Sequence, residues 1–355
     1  MQTSDPSSML LRDFTPKAMV QLPTHLVDRA AAPVVDVHNH LGRRHGPGWS
    51  APDLGELLSM MDACNVAAIV NLDGQWEEEL DANLDRYDRA YPGRFATFAR
   101  LDWRQCESPD WPKLLIRSLE DSARRGAAGL KVWKDLGLHL RDENGALLLV
   151  NDPRLSDVWD TLAALDLPML IHTADPSAFF EPLDSHNERL EELLRHPDWH
   201  FADEQFPRMP VLLQALEDVV AAHPNLTVIG AHVGCFAEDL GWVGRMMSTY
   251  PNFNADIAAR VPELGRQPRA TRSLIDQHPD RVLFGTDCFP PDADYFRRYF
   301  RFLETDDEYF SYSPSEPPGS GRWTISGVDL EPEQLRKVYG ENARRLIPAL
   351  RDSTV

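Results

Sequence analysis

The segment VVDVHNH, residues 34–40, ends an apolar run with Asp36, His38 and His40 at every second position. Strand side chains alternate faces, so this spacing predicts all three on one side of a strand. His172 and His232 each follow an apolar run, in PMLIHTAD (168–175) and LTVIGAHVG (226–234), and Asp287 falls near the end of RVLFGTDC (281–288). Three or four imidazoles and a carboxylate converging in one cup suit one divalent metal ion, zinc first, with manganese or iron as alternatives. An HxH pair alone is weak evidence, and a lone histidine is more often a core or surface residue. The weight lies in the shared position of these residues at strand ends.

The elements that would position them recur along the chain. Short apolar segments at 34–40, 67–73, 95–102, 129–135, 168–175, 226–234, 253–259 and 281–288 alternate with helical stretches. Most lack polar residues on either face over their first half, as strands of a helix-covered parallel sheet do. Eight such units predict an α/β fold, a (β/α)8 TIM barrel, with active groups at the C-terminal strand ends. Residues 1–32 read as an N-terminal arm and 33–355 as one barrel domain. The tetrads YPGR, HPNL, YPNF and HPDR each precede a strand and read as helix-to-strand turns at the opposite end. His223 and His278 fall in these turns and are excluded as ligands. His25, His45, His139, His186, His196 and His200 are given no role beyond surface or loop. Long excursions at 176–210 and 304–332, after the fifth and eighth strands, are expected to lie over the mouth as lids or binding loops.

Composition narrows the function. With 43% hydrophobic and 26% charged residues the chain is globular, and a formal charge of −20 argues against nucleic acid or an anionic membrane as partner. Four scattered cysteines without CxxC spacing suit a reduced compartment. No signal-peptide pattern and no run of ~18 apolar residues is present, so a cytoplasmic location and a small-molecule substrate are expected.

DVHNH, LIHTADP, VIGAHVG, FGTDCFP and YGENARRLI together resemble the amidohydrolase superfamily, in its amidohydrolase-related branch of aminocarboxymuconate-semialdehyde decarboxylase-like proteins. The resemblance runs from about Pro33 to the last helix. It implies a metal-dependent barrel that hydrolyses C–N or C–O bonds or, in this branch, decarboxylates without oxidation. It implies His38, His40, His172 and Asp287 as metal ligands, His232 and Asp287 as catalytic groups, and a homodimer. The leading expectation is a metal-dependent hydrolase of a small amide, lactone or ester, working through a water whose pKa the metal lowers from 15.7 to about 7. The alternative is a non-oxidative decarboxylase with the same ligands, and a basic clamp facing the metal would favour it. A barrel that binds without catalysis predicts a missing ligand, and none is missing.

Four residues have open roles. Lys131 would bridge two metals, as in binuclear members, or pair with a carboxylate such as Asp36. Asp36 would orient a ligand imidazole or bond to backbone. Asp256 has no settled role. Trp133, with Phe179, Phe180, Trp199 and Phe206, would line a pocket, with Arg100 or Arg208 as carboxylate clamps.

Overall fold

A computed structural model describes residues 6–43 and 48–351. His45 lies outside them. Eight parallel strands follow one another in chain order: β1 (Val34–Asn39), β2 (Val66–Asn71), β3 (Phe95–Ala99), β4 (Gly129–Val132), β5 (Met169–Ile171), β6 (Val228–Gly230), β7 (Phe253–Asp256) and β8 (Val282–Leu283). Backbone bonds from Val37 N–H to Phe284 C=O (3.0 Å) and from Asp287 N–H to His38 C=O (2.8 Å) join the eighth strand region to the first. The expected TIM barrel is the observed fold.

Both faces of the strands are buried, which explains their unbroken apolar reading. One face joins Val35, Val70, Leu170, Ile229 and Leu283 to Ala343 and Ile347 of the C-terminal segment. The other, with Val34, Ile69, Leu130 and Met169, packs against helices through Met61, Leu115 and Leu216. The helix Leu54–Cys64 starts where Asp53 accepts from the N–H groups of Gly55 and Glu56, and ends at left-handed Asn65 (φ 65°). The four tetrads are turns. Arg94, Leu226, Phe253 and Arg281 each donate N–H to the C=O three residues back, at 3.0 Å. His223 is held by Asp160 at 2.7 Å, a structural contact.

The strands are shorter than the sequence pattern suggests, because the chain bends as soon as it reaches the polar end of the barrel. The last predicted helix is also broken: Pro332–Arg336 and Asn342–Leu346 flank a π-helical stretch, Lys337–Glu341. Gly340 in that stretch lets the chain approach Pro33, whose C=O would stand 2.7 Å from an added Cβ. Residues 6–33 form an extended, mostly exposed arm, and His25 fixes it to the barrel by a 2.6 Å contact with Asp307. The excursion at 304–332 begins one helix later than a direct β8 loop, after Ala293–Glu304, and still folds back over the barrel mouth. Among the described residues no helix is long and apolar enough to cross a membrane.

Candidate metal centre

The residues at the ends of the strands meet, but the backbone does more to aim them than simple alternation would. In β1 the register runs Asp36–Ile69 and then Asn39–Asn71, so Val37 and His38 together oppose Val70. This bulge breaks the expected sharing of one face by Asp36, His38 and His40. Asp36 turns away and accepts from Thr286 N–H (2.9 Å), Thr286 Oγ1 (2.6 Å), His38 N–H (3.1 Å) and Asn39 Nδ2 (3.0 Å). These backbone and side-chain contacts tie β1 to the segment after β8, and among the described residues none of them is to an imidazole. Burial raises its pKa to about 6.

Beyond β6, β7 and β8 the chain is forced into left-handed conformations at His232 (φ 57°), Val233 (φ 61°), Ala259 (φ 53°) and Asp287 (φ 60°). Side-chain-bearing residues rarely adopt these, and such strain persists only where the surrounding structure imposes it. Two of the four are the expected catalytic residues.

Each imidazole is fixed by one nitrogen. His38 Nδ1 meets Asp256 at 2.9 Å, and His40 Nδ1 meets Asp73 at 3.0 Å. His232 Nδ1 meets the C=O of Ala258 at 2.8 Å. Asp256 also accepts the N–H of His232 (2.9 Å) and of Ala258 (3.0 Å), so one carboxylate aligns two histidines. The Nε2 atoms of His38 and His40 lie 3.9 and 3.3 Å from Asp287 Oδ1. Donor atoms of His38, His232 and Asp287 gather within 4.8 Å of one another. Oδ1 of Asp287 is buried and makes no aligned hydrogen bond. Imidazole nitrogens and a carboxylate oxygen are ligand types that a divalent cation takes.

The electrostatics agree. Burial, with the charge of Lys131, holds His38 well below the usual imidazole range, and burial with His172 does the same for His232. Burial would raise Asp287, yet the neighbouring imidazoles of His38 and His40 keep it far below the usual carboxylate range. Burial would lower His40, but the carboxylates of Asp287 and Asp73 more than offset this and raise it. Neutral His38 and His232 beside an ionised carboxylate are in the protonation state that binds a cation.

Two expected members are placed differently. His172 lies beside His232, ring centroids 4.4 Å apart, but its Nε2 is 3.2 Å from Asp175, which also holds Lys134. Lys131 does not reach Asp36. Its amine is 3.2 Å from His38 Nε2, and burial pushes its pKa down to about 8.

Above the centre opens a cavity of about 750 Å³. Trp133, Phe179 and Trp199 line it as expected, joined by Phe201 and Phe289. Phe180 and Arg208 face a separate groove, Phe206 packs on Phe201, and Arg100 lies 5.0 Å from the Trp133 ring without lining the cavity. Arg189, Arg260 and Arg298 line it instead. Asp73, Asp175 and these arginines are the functional candidates that sequence reasoning missed. Asp73 and Asp175 both end segments recognised as strands, and that was the available signal.

The fold recurs in solved structures. A 2,6-dihydroxybenzoate decarboxylase from Rhizobium superposes with a TM-score of 0.57 at 18% identity, over 89% of this chain and 99% of that one. A dihydroxybenzoic acid decarboxylase from a Polaromonas species, with bound manganese and 2-nitroresorcinol, gives 0.57 at 15% identity, covering 89% and 97%. The 5-carboxyvanillate decarboxylase of Sphingomonas paucimobilis gives 0.53 at 14% identity, covering 90% and 99%. A search of curated protein sequences finds no match. The amidohydrolase family profile matches residues 35–349, from the second residue of β1 through β8 and including every residue of the centre, and the chain belongs to the amidohydrolase family.

Proposed function

We propose that this protein is a metal-dependent, non-oxidative decarboxylase of a small aromatic carboxylate. The observation that carries this is the aim of His232. Its Nδ1 is fixed on Ala258, and its ring offers a ligand atom within 4.8 Å of those of His38 and Asp287, at the base of an aromatic-walled cavity. The similar structures named as aromatic-acid decarboxylases, and the cavity-facing arginines, favour this chemistry over the hydrolysis expected first from the sequence.

His38, His40 and Asp287 would hold a divalent ion, with His172 as the fourth candidate, and imidazoles mixed with carboxylate suit zinc, manganese or iron. When bound, such an ion supplies Lewis-acid charge that anchors a carboxylate or neighbouring hydroxyl oxygen. The protein's own residues do the rest. Trp133 and Phe289 flank His40, with ring centroids 5.0 and 5.3 Å away, and present faces against which an aromatic substrate packs. As CO₂ leaves, the electron pair of the broken C–C bond stays on the ring carbon, which must take a proton. With Nδ1–H donating to Ala258, the other nitrogen of neutral His232 carries no proton, so it first takes one from water and then passes it to the ring carbon. Because burial makes its imidazolium a strong acid, the proton is readily surrendered to carbon.

The test is metal analysis of wild type, His38→Ala and Asp287→Asn, followed by CO₂ release from a panel of hydroxybenzoates, with lactones and amides alongside. About one divalent ion per wild-type chain, loss of it in both variants, and CO₂ from at least one aromatic acid are expected. Opening of a lactone or amide with no CO₂ from any acid would return the assignment to hydrolysis.

A further inference from the structure

The N-terminal arm carries apolar side chains that its own barrel leaves in water. Met9, Leu10, Leu11, Phe14, Met19 and Val20 are each between 51 and 88% exposed. Elsewhere in the described chain large exposed apolar side chains stand singly, which is ordinary, whereas a run of them marks a contact surface. The arm is nevertheless fixed at its root. The N–H of His25 donates to Asp307 at 2.9 Å, Arg29 donates to Asn65 at 3.0 Å, and the N–H of Ala31 donates to Glu304 at 3.0 Å. Farther out, the 3-10 turn Leu11–Asp13 is closed by Phe14 N–H on the Leu11 C=O at 3.2 Å. Residues three apart eclipse in such a turn, so Leu11 and Phe14 stand side by side. No described arm residue lines either of the two large cavities.

A receptor of matching chemistry lies on the same chain. Phe180, Met209, Pro210, Leu213, Phe236 and Trp242 line an open groove of about 680 Å³ beside the helices Met209–Ala222 and Leu240–Thr249. Its rim complements the arm in charge. Arg208 is exposed there, donating to the C=O of Ala202 at 3.3 Å, and forms no ion pair among the described residues. Asp13 stands exposed beside Phe14 and forms none either among those residues. The groove belongs to the helices after β5 and β6, while the arm is rooted on those after β1 and β8. Strand order therefore sets root and groove on opposite sides of the barrel.

We infer that the arm of one copy lies in the groove of a second copy, and the second copy's arm in the groove of the first, so that the protein is a two-fold dimer held by exchanged arms. Both halves of the contact reside on one chain, so a second copy completes it twice and leaves no open end. Residues 6–24 and the groove together supply the roughly 20–30 residues a side that a stable interface uses. Leu11 and Phe14 enter the apolar floor, and Asp13 meets Arg208.

Sedimentation equilibrium of the full chain across the micromolar range tests the association. Wild type is expected at twice the chain mass of 40.2 kDa. Leu11→Asp combined with Phe14→Asp removes two anchors and should weaken association about a hundredfold or more, with melting temperature checking the fold. Arg208→Asp should weaken it by about two- to fivefold, and adding Asp13→Arg should restore most of that loss. A cysteine pair locates the arm. Phe14→Cys with Gln214→Cys, at the groove wall, should give a reducible bond joining two chains, formed by neither single variant. A monomeric wild type, or a dimer indifferent to the Leu11 and Phe14 changes, overturns the inference. So does a bond closed within one chain, a bond between two copies of Phe14→Cys alone, or no bond at all.

Discussion

Replacing Asp73 by Asn isolates the contribution of a residue that touches no substrate and, in the scheme above, no metal. Asp73 Oδ1 accepts from His40 Nδ1 at 3.0 Å and Oδ2 from the N–H of Gly42 at 3.3 Å, with the side chain fully buried. Asn keeps the shape but offers one oxygen to two donors. Turned towards His40, that oxygen leaves an NH₂ against the Gly42 N–H. Turned the other way, it forces the proton of His40 onto Nε2, the nitrogen that faces Asp287. Loss of such an outer partner typically weakens metal binding 10–100-fold, or about 1.4–2.8 kcal/mol. One effect opposes this. Asp73 helps to raise the pKa of His40 against burial, so the variant's imidazole competes less with protons for the ion. Measuring at pH 8 minimises that gain and leaves the orientation loss exposed. The assay is competition for zinc between chelator-stripped protein and a chromogenic chelator, with melting of the stripped protein as a folding control. Zinc affinity within twofold of wild type, in a variant that folds normally, would refute both the role of Asp73 and the place of His40 among the ligands.

Other perturbations test the frame around the centre. Burial raises the pKa of Asp88 from 3.8 to about 6, so the folded chain keeps a proton between pH 4 and 6 that the unfolded chain has lost. Compared with Asp88→Asn, wild type should therefore lose about 3 kcal/mol as pH rises through that window and then level off, in urea titrations across pH. Arg189→Met strands the buried Glu263 and should cost about 3–5 kcal/mol, whereas Arg322→Ala breaks an exposed pair with Glu191 and should cost under ~1 kcal/mol. Equal losses in denaturant unfolding would contradict the assigned burial. Gly129→Ala drives a Cβ to 2.5 Å from the Phe98 ring, and an overpacking cost of about 1–3 kcal/mol should appear in the same assay.

The barrel was legible because its strands are buried on both faces, and Val34, Leu170 and Ile229 announce that without reference to anything distant. His38, His232 and Asp287 were legible because polar residues closing apolar runs are conspicuous. Less visible was whatever depends on backbone irregularity or on a partner far along the chain. The bulge in β1 reversed the expected direction of Asp36, since one extra residue undoes a period of two. Nothing in the sequence around Asp73 marks its contact with His40, 33 residues away. Arg260 owes its place to the left-handed bend at Ala259, and an Ala carries no sequence sign of that conformation. Arg100 and Arg208 were plausible by type, and only packing could show that they face elsewhere.

The junction between β8 and β1 has a consequence for how the protein becomes an enzyme. Asp36 and Thr286 are 250 residues apart and joined by hydrogen bonds, and beside them Asp287 N–H donates to His38 C=O. The seam that shuts the barrel is thus the same contact that brings the carboxylate to the histidines. A nascent chain carrying only the first strands exposes His38 and His40 as an isolated imidazole pair, a weak and exchangeable trap for metal. If the centre holds an ion as proposed, its carboxylate meets its histidines only once the eighth strand closes on the first, so tight binding would require the whole barrel.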